Sequence, residues 1–297
     1  MSTKLKHART ATLNIAYEET GPAAGKPVFL MHGFPDDVRA WDGVVAPLAA
    51  GGHRVIVPYL RGYGPTRFRR AKTPRSGQQA ALGDDLLALM DALRIERAAL
   101  AGYDWGGRAC CIVAALRPAR VSALVTIGGY NIQNIATAIQ PAIPDREMRH
   151  WYQWYFHTER GREGLRANTR DLCGLLWKLW SPNWRFDDAT LDRTAQSWQN
   201  PDFVDVVIQS YRHRHRAAPG DPALDSIEAL LAAQPDISVP TINLHGGADG
   251  VGPVEQTDSA AKKFTARYER RIIAGAGHFL PWEAPEAVLQ ALHDLGA

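Results

Sequence analysis

The sequence predicts an α/β fold, a mostly parallel sheet of about eight strands that is flanked by helices, with a helical segment inserted. Short apolar runs alternate with longer helical patterns in the first half of the chain. The alternation stops between about Tyr130 and Ile237, and it resumes at VPTINLHGG. We therefore expect a core domain formed by residues 1–129 and 236–297, with a helical cap domain over residues 130–235.

The predicted strands are justified one by one by their apolar patterns. TATLNIAYEE alternates apolar and polar residues, which is typical of a half-exposed strand. The other predicted strands are continuous apolar runs, and they are PVFLMHG, RVIVPYLRG, RAALAGYD, ALVTIGG, TINLHGG and RRIIAGAG. Between them, Gln78 to Leu93 and Arg108 to Leu116 repeat apolar residues at the three- and four-residue spacing of a helix.

The interrupting segment contains helical patterns and most of the tryptophan of the chain. Six of the nine tryptophans lie in it, namely Trp151, Trp154, Trp177, Trp180, Trp184 and Trp198. A helical insertion into a continuous sheet predicts a cap over the core. So many indoles also suggest an apolar or aromatic pocket wall, and hence a lipophilic substrate.

Composition excludes several classes of protein. The 297 residues are 45% hydrophobic and 22% charged, which is ordinary for a globular chain, and a net charge of +3 is too small to indicate nucleic-acid or membrane binding. The basic stretches RHRHR and RFRRAKTPR are interpreted as solvated surface. Three cysteines are too few for a disulfide framework, and MSTKLKHART leads into no apolar signal region. We expect a cytoplasmic protein, a monomer or a homodimer.

One motif carries the functional argument. Gly102-Tyr103-Asp104-Trp105-Gly106-Gly107 stands directly between a predicted strand and a predicted helix. This is the pattern of a nucleophile elbow, in which glycines two residues before and after the nucleophile make room for a tight, strained turn. Asp104 is therefore the candidate nucleophile.

Three further positions complete the pattern of a hydrolytic site. The run VFLM is followed by His32-Gly33-Phe34, where this architecture supplies a second oxyanion donor, so the expected donors are the backbone N–H groups of Phe34 and Trp105. The acid and the base should follow in that order. Asp249 stands at the end of TINLHGG and His278 at the end of RRIIAGAG.

These motifs resemble those of the α/β-hydrolase superfamily, and the resemblance covers almost the whole chain. HGFPDD, RGYG, GYDWGG, GADG and GHFLPWEAPE stand in the order found in that superfamily. Within it, the chain is most similar to the bacterial soluble epoxide hydrolases, with the haloalkane and haloacetate dehalogenases as related groups.

An aspartate at the elbow changes the chemistry that can be expected. Attack of a carboxylate on an sp³ carbon forms an ordinary alkyl ester, which water can then cleave. This favours carbon–oxygen or carbon–halogen displacement over acyl transfer. His278, oriented by Asp249, would activate the water that attacks the ester of Asp104.

An opening epoxide needs a proton donor, whereas a departing halide does not. The resemblance implies that Tyr152 in WYQWYF and Tyr211 in QSYRHRHR are these donors, and Tyr155 stays open as an alternative to Tyr152. It also suggests that the side chains of Phe34, Trp105 and Trp154 contact the substrate.

The sequence departs from the dehalogenases at several positions. Trp105 stands where haloacetate dehalogenases have arginine, although Arg108 is retained, and Gln153-Trp154 stands where they have His-Trp. Phe34 fills the place where haloalkane dehalogenases have Asn or Glu. We therefore expect an epoxide hydrolase that needs no cofactor and no metal and acts on a small lipophilic epoxide and water. The alternatives are a dehalogenase with the same triad and a non-catalytic receptor on the hydrolase fold.

Overall fold

The computed structural model describes residues 4–297, and at Lys4 and residues 256–259 it describes the backbone alone. Its centre is a nine-stranded sheet. The strands are β1 (Lys4–Arg9), β2 (Leu13–Thr20), β3 (Pro27–Met31), β4 (Arg54–Pro58), β5 (Arg67–Phe68), β6 (Ala98–Tyr103), β7 (Val121–Ile127), β8 (Thr241–Gly246) and β9 (Tyr268–Ile273).

The sheet is mostly parallel, as the sequence predicts. Its order is β1-β2-β4-β3-β6-β7-β8-β9, and every pair from β4 to β9 along this order is parallel. At one edge β2 pairs antiparallel with β1, β4 and the short β5. Because the strands from β4 to β9 are parallel, the loops after β3, β6, β8 and β9 all lie at the carboxyl ends of the strands, on the same side of the molecule.

The sequence patterns located seven of the nine strands. All seven predicted runs form strands, and the central residues are buried in five of the six continuous apolar runs. The exception is RRIIAGAG, because no residue of β9 is fully buried and Ile272 is 42% exposed. β1 was not predicted, because KLKHAR has no apolar run and lies at the edge of the sheet, where strands need no buried face on both sides. β5 is only two residues long and is too short to give a pattern.

The helices that lie outside the segment between β7 and β8 are α1 (Asp42–Ala50), α2 (Gln79–Ala92), α3 (Asp104–Leu116), α11 (Leu280–Glu283) and α12 (Pro285–Asp294). Two pairs of them, α1 with α12 and α2 with α3, flank the sheet. The 3₁₀ helices outside the inserted segment are Val38–Trp41, Pro118–Arg120 and Val254–Lys263.

Between β7 and β8 the chain forms helices and no strand, and every residue of this stretch is described. We call residues 130–235 the helical insertion. Its helices are α4 (Pro144–Arg149), α5 (Trp151–His157), α6 (Glu159–Ala167), α7 (Thr169–Trp180), α8 (Asp188–Ala195), α9 (Phe203–Arg214) and α10 (Asp225–Ala232), with 3₁₀ helices at Gln196–Gln199 and Pro222–Leu224. Within residues 4–297, no helix combines the length and the apolar character that a membrane crossing requires.

The helical insertion is attached to the core by buried hydrogen bonds at the loops that follow the strands. The hydroxyl of Ser197 donates to Asp37 Oδ2 at 2.6 Å, in the loop after β3. The carbonyl of Trp180, at the end of α7, accepts from the backbone N–H of Gly250 at 3.0 Å and from that of His278 at 3.1 Å. One residue of the insertion thus holds both the loop after β8 and the loop after β9.

Candidate active site

The turn between β6 and α3 has the geometry of a nucleophile elbow. Asp104 has a φ of +48°, in the left-handed region that side-chain-bearing residues rarely adopt. The turn is also very close-packed, since a Cβ at Gly102 would lie 2.6 Å from the carbonyl oxygen of Gly106. A Cβ at Gly106 would lie 2.1 Å from the carbonyl oxygen of Met31. The two glycines therefore allow the turn to project the Asp104 carboxylate beyond the end of the sheet.

The two oxygens of Asp104 have different neighbours. The backbone N–H of Phe34 donates to Oδ1 at 2.8 Å, as expected for one of the two oxyanion donors. Trp105 is the second residue of α3, in the first turn, where backbone N–H groups have no partner within the helix. The other oxygen, Oδ2, faces the guanidinium of Arg108, whose Nη2 lies 3.8 Å away.

His278 and Asp249 form a hydrogen-bonded pair at the ends of two neighbouring strands. His278 Nδ1 lies 3.0 Å from Asp249 Oδ2, while Asp249 Oδ1 accepts from the backbone N–H groups of Val251 at 2.7 Å and Gly252 at 3.1 Å. An ionised carboxylate only accepts hydrogen bonds, so Nδ1 of His278 carries the proton. His278 Nε2 is buried and has no hydrogen-bond partner among the described residues.

The charges of this pair reinforce each other. Burial lowers the pKa of His278, but the charge and the hydrogen bond of Asp249 outweigh burial, and the pKa is raised above its ordinary value. Burial raises the pKa of Asp249, and His278 with the two backbone N–H groups outweighs it, so that this pKa is lowered. Asp249 is therefore an anion that orients the imidazole and stabilises its protonated form.

Tyr152 on α5 and Tyr211 on α9 approach each other above the elbow. Their ring centroids are 5.4 Å apart, and both rings contact the ring of Phe34. The Tyr152 hydroxyl accepts from Gln153 Nε2 at 3.0 Å, and the Tyr211 hydroxyl is buried without a partner in the described part of the chain. Burial raises the pKa of both phenols, with the charge of Asp104 adding to the effect, so both hydroxyls stay protonated.

The side chain of Tyr155, the alternative to Tyr152, is directed towards α6. A Cβ at Gly164 on α6 would lie 1.8 Å from the Tyr155 hydroxyl oxygen, so this hydroxyl is directed at the backbone of α6. The geometry therefore favours Tyr152 over Tyr155 as the partner of Tyr211.

A cavity of about 640 Å³ lies between the core and the helical insertion. Its lining includes Asp104, Asp249 and His278 from the core and Tyr152 from the insertion. Trp154 lines it as well, but it is the one tryptophan of the helical insertion that does. Within the lining that the structure describes, the expected aromatic wall therefore contains one of the six tryptophans, and Ile127, Tyr130 and Ile132 supply further apolar surface. The indoles of Trp177 and Trp184 instead pack against each other.

The rings of Phe34 and Trp105 lie behind the cavity wall. They stack with centroids 5.8 Å apart, both side chains are fully buried, and the Phe34 ring also contacts rings of the insertion. A direct contact of these two rings with substrate stays a prediction, whereas their packing role is visible.

The cavity contains basic residues that the sequence patterns did not place there. Arg108, Arg214 and His215 line it together with His150. The interpretation of RHRHR as solvated surface is wrong for Arg214, whose Nε and Nη2 atoms are buried. A helix pattern could have suggested this, because Arg214 lies three residues after Tyr211 and therefore on the same face of α9.

The match to a known family agrees with this geometry. A family model described as "alpha/beta hydrolase fold" matches residues 26–285, so the chain belongs to the α/β-hydrolase family. It is a hydrolase, and in sequence and structure it is epoxide hydrolase-like.

Three relatives define the similarity more closely. A candidate epoxide hydrolase from Klebsiella pneumoniae, known from a crystal structure, is 46% identical with a TM-score of 0.96, over 98% of this chain and 97% of that one. Epoxide hydrolase A of Mycobacterium tuberculosis is 26% identical over 299 residues, 92% of this chain and 91% of its own. A candidate non-heme chloroperoxidase of Synechocystis is also 26% identical, over 94% of this chain and 93% of its own.

Proposed function

We propose that this protein is an epoxide hydrolase that adds water to an oxirane through a covalent ester of Asp104 and releases a vicinal diol. The observation that carries the proposal is the pair of protonated, buried tyrosines, Tyr152 and Tyr211, whose rings lie 5.4 Å apart. Both rings contact Phe34, whose backbone N–H donates to the carboxylate of Asp104, and Tyr152 lines the cavity together with Asp104. The epoxide hydrolase names of the Klebsiella and Mycobacterium relatives support it.

In the first step a free carboxylate oxygen of Asp104 attacks an oxirane carbon. The carbon–oxygen bond of the ring breaks as the ester bond forms, and the ring oxygen leaves as an alkoxide. Tyr152 or Tyr211 supplies the proton, since an alkoxide is a far stronger base than a phenolate. The Tyr211 hydroxyl has no hydrogen-bond partner among the described residues and is therefore free to donate this proton.

In the second step water cleaves the ester. His278 Nε2 has no partner among the described residues and accepts a proton from water, while Asp249 stabilises the imidazolium that results. The water oxygen attacks the carbonyl carbon of the ester, and the bond between this carbon and the ester oxygen breaks. The imidazolium of His278 protonates the departing alkoxide, which leaves as the diol, and the proton of the restored Asp104 carboxyl returns to the tyrosine phenolate. The backbone N–H of Phe34, which donates to Asp104 Oδ1 at 2.8 Å, stabilises the oxyanion, together with that of Trp105.

The helical insertion acts in this proposal as a cap domain over residues 130–235, and residues 1–129 and 236–297 form the core domain. The cap supplies the tyrosines and the core supplies the nucleophile, the base and the acid. A cytoplasmic location is proposed as well, because Cys110, Cys111 and Cys173 are buried and unpaired, which suits a reducing compartment.

The test is the intact mass of the His278→Ala protein after exposure to a panel of epoxides and bromoalkanes. Without the base the second step should stall, and the ester should accumulate on Asp104. We expect a mass increase equal to one whole epoxide, located in the peptide that contains Asp104. The Asp104→Asn/His278→Ala double variant is the matched control and should gain no mass.

Two results would contradict the proposal. An increase by an alkyl group alone, with halide released, would identify a dehalogenase that uses the same three residues. If the single variant gains no mass and the wild-type protein forms no diol from the same epoxides, a ligand-binding receptor on the hydrolase fold becomes the better interpretation.

A further inference from the structure

The guanidinium of Arg214 is a buried cation in the cavity wall. Arg214 is the last residue of α9, and its guanidinium carbon lies 4.7 Å from the centre of the Tyr211 ring. Its Nε and Nη2 atoms are buried and have no hydrogen-bond partner among the described residues. A guanidinium has donors only, so these N–H groups lack an acceptor.

Arg108 is a second cation on the same cavity. Its side chain is buried, at 9% relative exposure for the residue, and its Nη2 lies 3.8 Å from Asp104 Oδ2. Burial and the charge of Arg214 lower the pKa of Arg108 to about 10, so it is still charged at neutral pH. Both arginines line the same cavity, and the charge of Arg214 acts on Arg108.

The charges of the cavity are balanced only until the ester forms. The carboxylates of Asp104, Glu147 and Asp249 line it, and so does the exposed Arg146. Asp249 is paired with His278, and Glu147 Oε1 also accepts from the backbone N–H of Ala142 at 2.6 Å. Asp104 is left as the anion next to Arg108, and it loses its charge when the ester forms. Burying charges without counter-ions is costly, so an anion from outside the protein would be bound favourably at this point.

The histidines beside Arg214 do not add to the positive charge. Burial and the charge of Arg214 lower the pKa of His150 and that of His215 to about 4 each, so both are neutral at pH 7. The attraction for an anion therefore comes from the two guanidinium groups, which are planar and match a carboxylate in shape.

We propose that Arg214 and Arg108 bind a carboxylate of the substrate, so that the substrate is an epoxide with a carboxylate close to its ring. This inference rests on the proposed function. The proximity follows from the elbow, because Phe34 holds Oδ1 and leaves Oδ2, the oxygen that faces Arg108, to attack. The carbon under attack therefore lies next to the Arg108 guanidinium. Hydration gives a 2,3-dihydroxy acid, with the carboxylate unchanged.

The proposal replaces the expectation of a lipophilic substrate, whose basis was the tryptophan content of the insertion. Trp154 is the one of those six indoles that lines the cavity. A cavity of about 640 Å³ still has room for an apolar substituent on the far side of the ring.

The experiment compares 3-phenylglycidate with its methyl ester, two substrates that differ in the negative charge. For the wild-type protein we expect kcat/KM to be about 10- to 100-fold higher for the acid, the range given by one or two charge-assisted hydrogen bonds. In Arg214→Gln the preference should fall close to one, mainly through a higher KM for the acid. Arg214→Lys should retain part of it, because the charge stays and the planar fork is lost.

Arg216→Gln is the matched control, since it removes an exposed charge two residues along the chain, and it should keep the wild-type preference. Equal kcat/KM for acid and ester in the wild-type protein would overturn the carboxylate site, as would an unchanged preference in Arg214→Gln. If the wild-type protein hydrates neutral epoxides such as styrene oxide but not the acid, the inference fails and the proposed function stands. If it hydrates none of these epoxides, both fail.

Discussion

The ends of the core strands and the helical insertion both contribute to the candidate site, but they hold their side chains by different means. In the core, backbone geometry fixes the groups, as in the strained turn at Asp104 and the two N–H groups that hold Asp249. In the insertion, Tyr152 and Tyr211 lie on separate helices and are held by ring packing around Phe34.

Because of this difference, we expect the core to determine the type of reaction and the insertion to determine which substrates react. In the proposed mechanism, Asp104, Asp249 and His278 are needed for every substrate that forms an ester on the nucleophile. The proposed proton donors and Arg214 would act only on particular leaving groups and substituents. Changes in the core should therefore reduce all activities alike, while changes in the insertion should separate one substrate from another.

The largest expected effect belongs to the core variant Asp249→Asn. An amide cannot hold His278 in the tautomer that leaves Nε2 free, and we expect kcat/KM to fall by about 10³- to 10⁴-fold for all substrates. The control is Asp91→Asn. Asp91 belongs to the core domain, is exposed and pairs with Arg120, so kcat/KM should stay near the wild-type value. A loss confined to one class of substrate would contradict the division between core and insertion.

The variant Asp249→Asn should also change the pH dependence of kcat/KM. His278 must be neutral to act as a base, and its pKa is raised in the wild-type protein, so kcat/KM should rise with pH through a midpoint above about 6.5. In Asp249→Asn the cause of the raised pKa is gone and burial remains, so the midpoint should move to lower pH. Measuring kcat/KM from pH 5 to 9 tests this, and an unchanged midpoint would show that Asp249 does not set the basicity of His278.

The sequence was most informative where backbone geometry restricts the residue type. Gly102 and Gly106 are needed because a Cβ at either would collide with a backbone carbonyl, and this requirement marks Asp104 in the sequence. The positions of Asp249 and His278 follow from the strand ends. The fold class could be predicted for a similar reason, because buried parallel strands must be continuous apolar runs.

The sequence was least informative about the helical insertion. Helix periodicity indicates which residues share a face, but tertiary packing decides which face is buried and against what. Arg214 therefore looked like one of several solvated arginines, and the Trp180 carbonyl that holds the loops of Gly250 and His278 gives no sequence signal. The tryptophans suggested a pocket wall, whereas Trp177, Trp180 and Trp184 pack the insertion against Phe279 of the core.

The variants Tyr211→Phe and Tyr152→Phe should have smaller and more selective effects. Each removes one proton donor and leaves the ring packing intact, and we expect kcat/KM for epoxides to fall by about 100-fold. Any turnover of bromoalkanes should change by less than about threefold, since halide needs no proton. Tyr155→Phe is the control and should have no effect on either reaction, because its hydroxyl is directed at Gly164.

The result that would contradict this prediction is an equal loss for epoxides and bromoalkanes in Tyr211→Phe. Such a loss would mean that the tyrosines shape the site without donating a proton, and the epoxide would no longer be distinguished as the substrate. A loss in Tyr155→Phe as large as that in Tyr152→Phe would show that the two residues of α5 have been assigned the wrong way round.

The smallest expected effect lies at the contact between the two regions, in Ser197→Ala. The Ser197 hydroxyl donates to the buried carboxylate of Asp37 at 2.6 Å, and its loss should cost about 1–3 kcal/mol in the free energy of unfolding. Burial raises the pKa of Asp37 to about 6 and the Ser197 hydrogen bond opposes this, so the variant should have a still higher pKa. When the pKa of a group is higher in the folded than in the unfolded protein, the folded state becomes less stable as pH increases between the two pKa values. The penalty of the substitution, measured by urea unfolding, should therefore be larger at pH 8 than at pH 5.

Thr158→Ala serves as a comparison, because it removes a hydroxyl whose hydrogen bonds in the described part of the chain are to backbone groups. This hydroxyl accepts from the backbone N–H of Gly161 and donates to the carbonyl of Tyr155. Its cost, about 1 kcal/mol, should be the same at both pH values. A penalty for Ser197→Ala that does not depend on pH would mean that the Ser197 hydrogen bond does not change the ionisation of Asp37 between pH 5 and pH 8. If Ser197→Ala instead lowers kcat/KM as strongly as Tyr211→Phe, the contact between the regions positions the tyrosines as well as stabilising the fold, and core and insertion act as one catalytic unit.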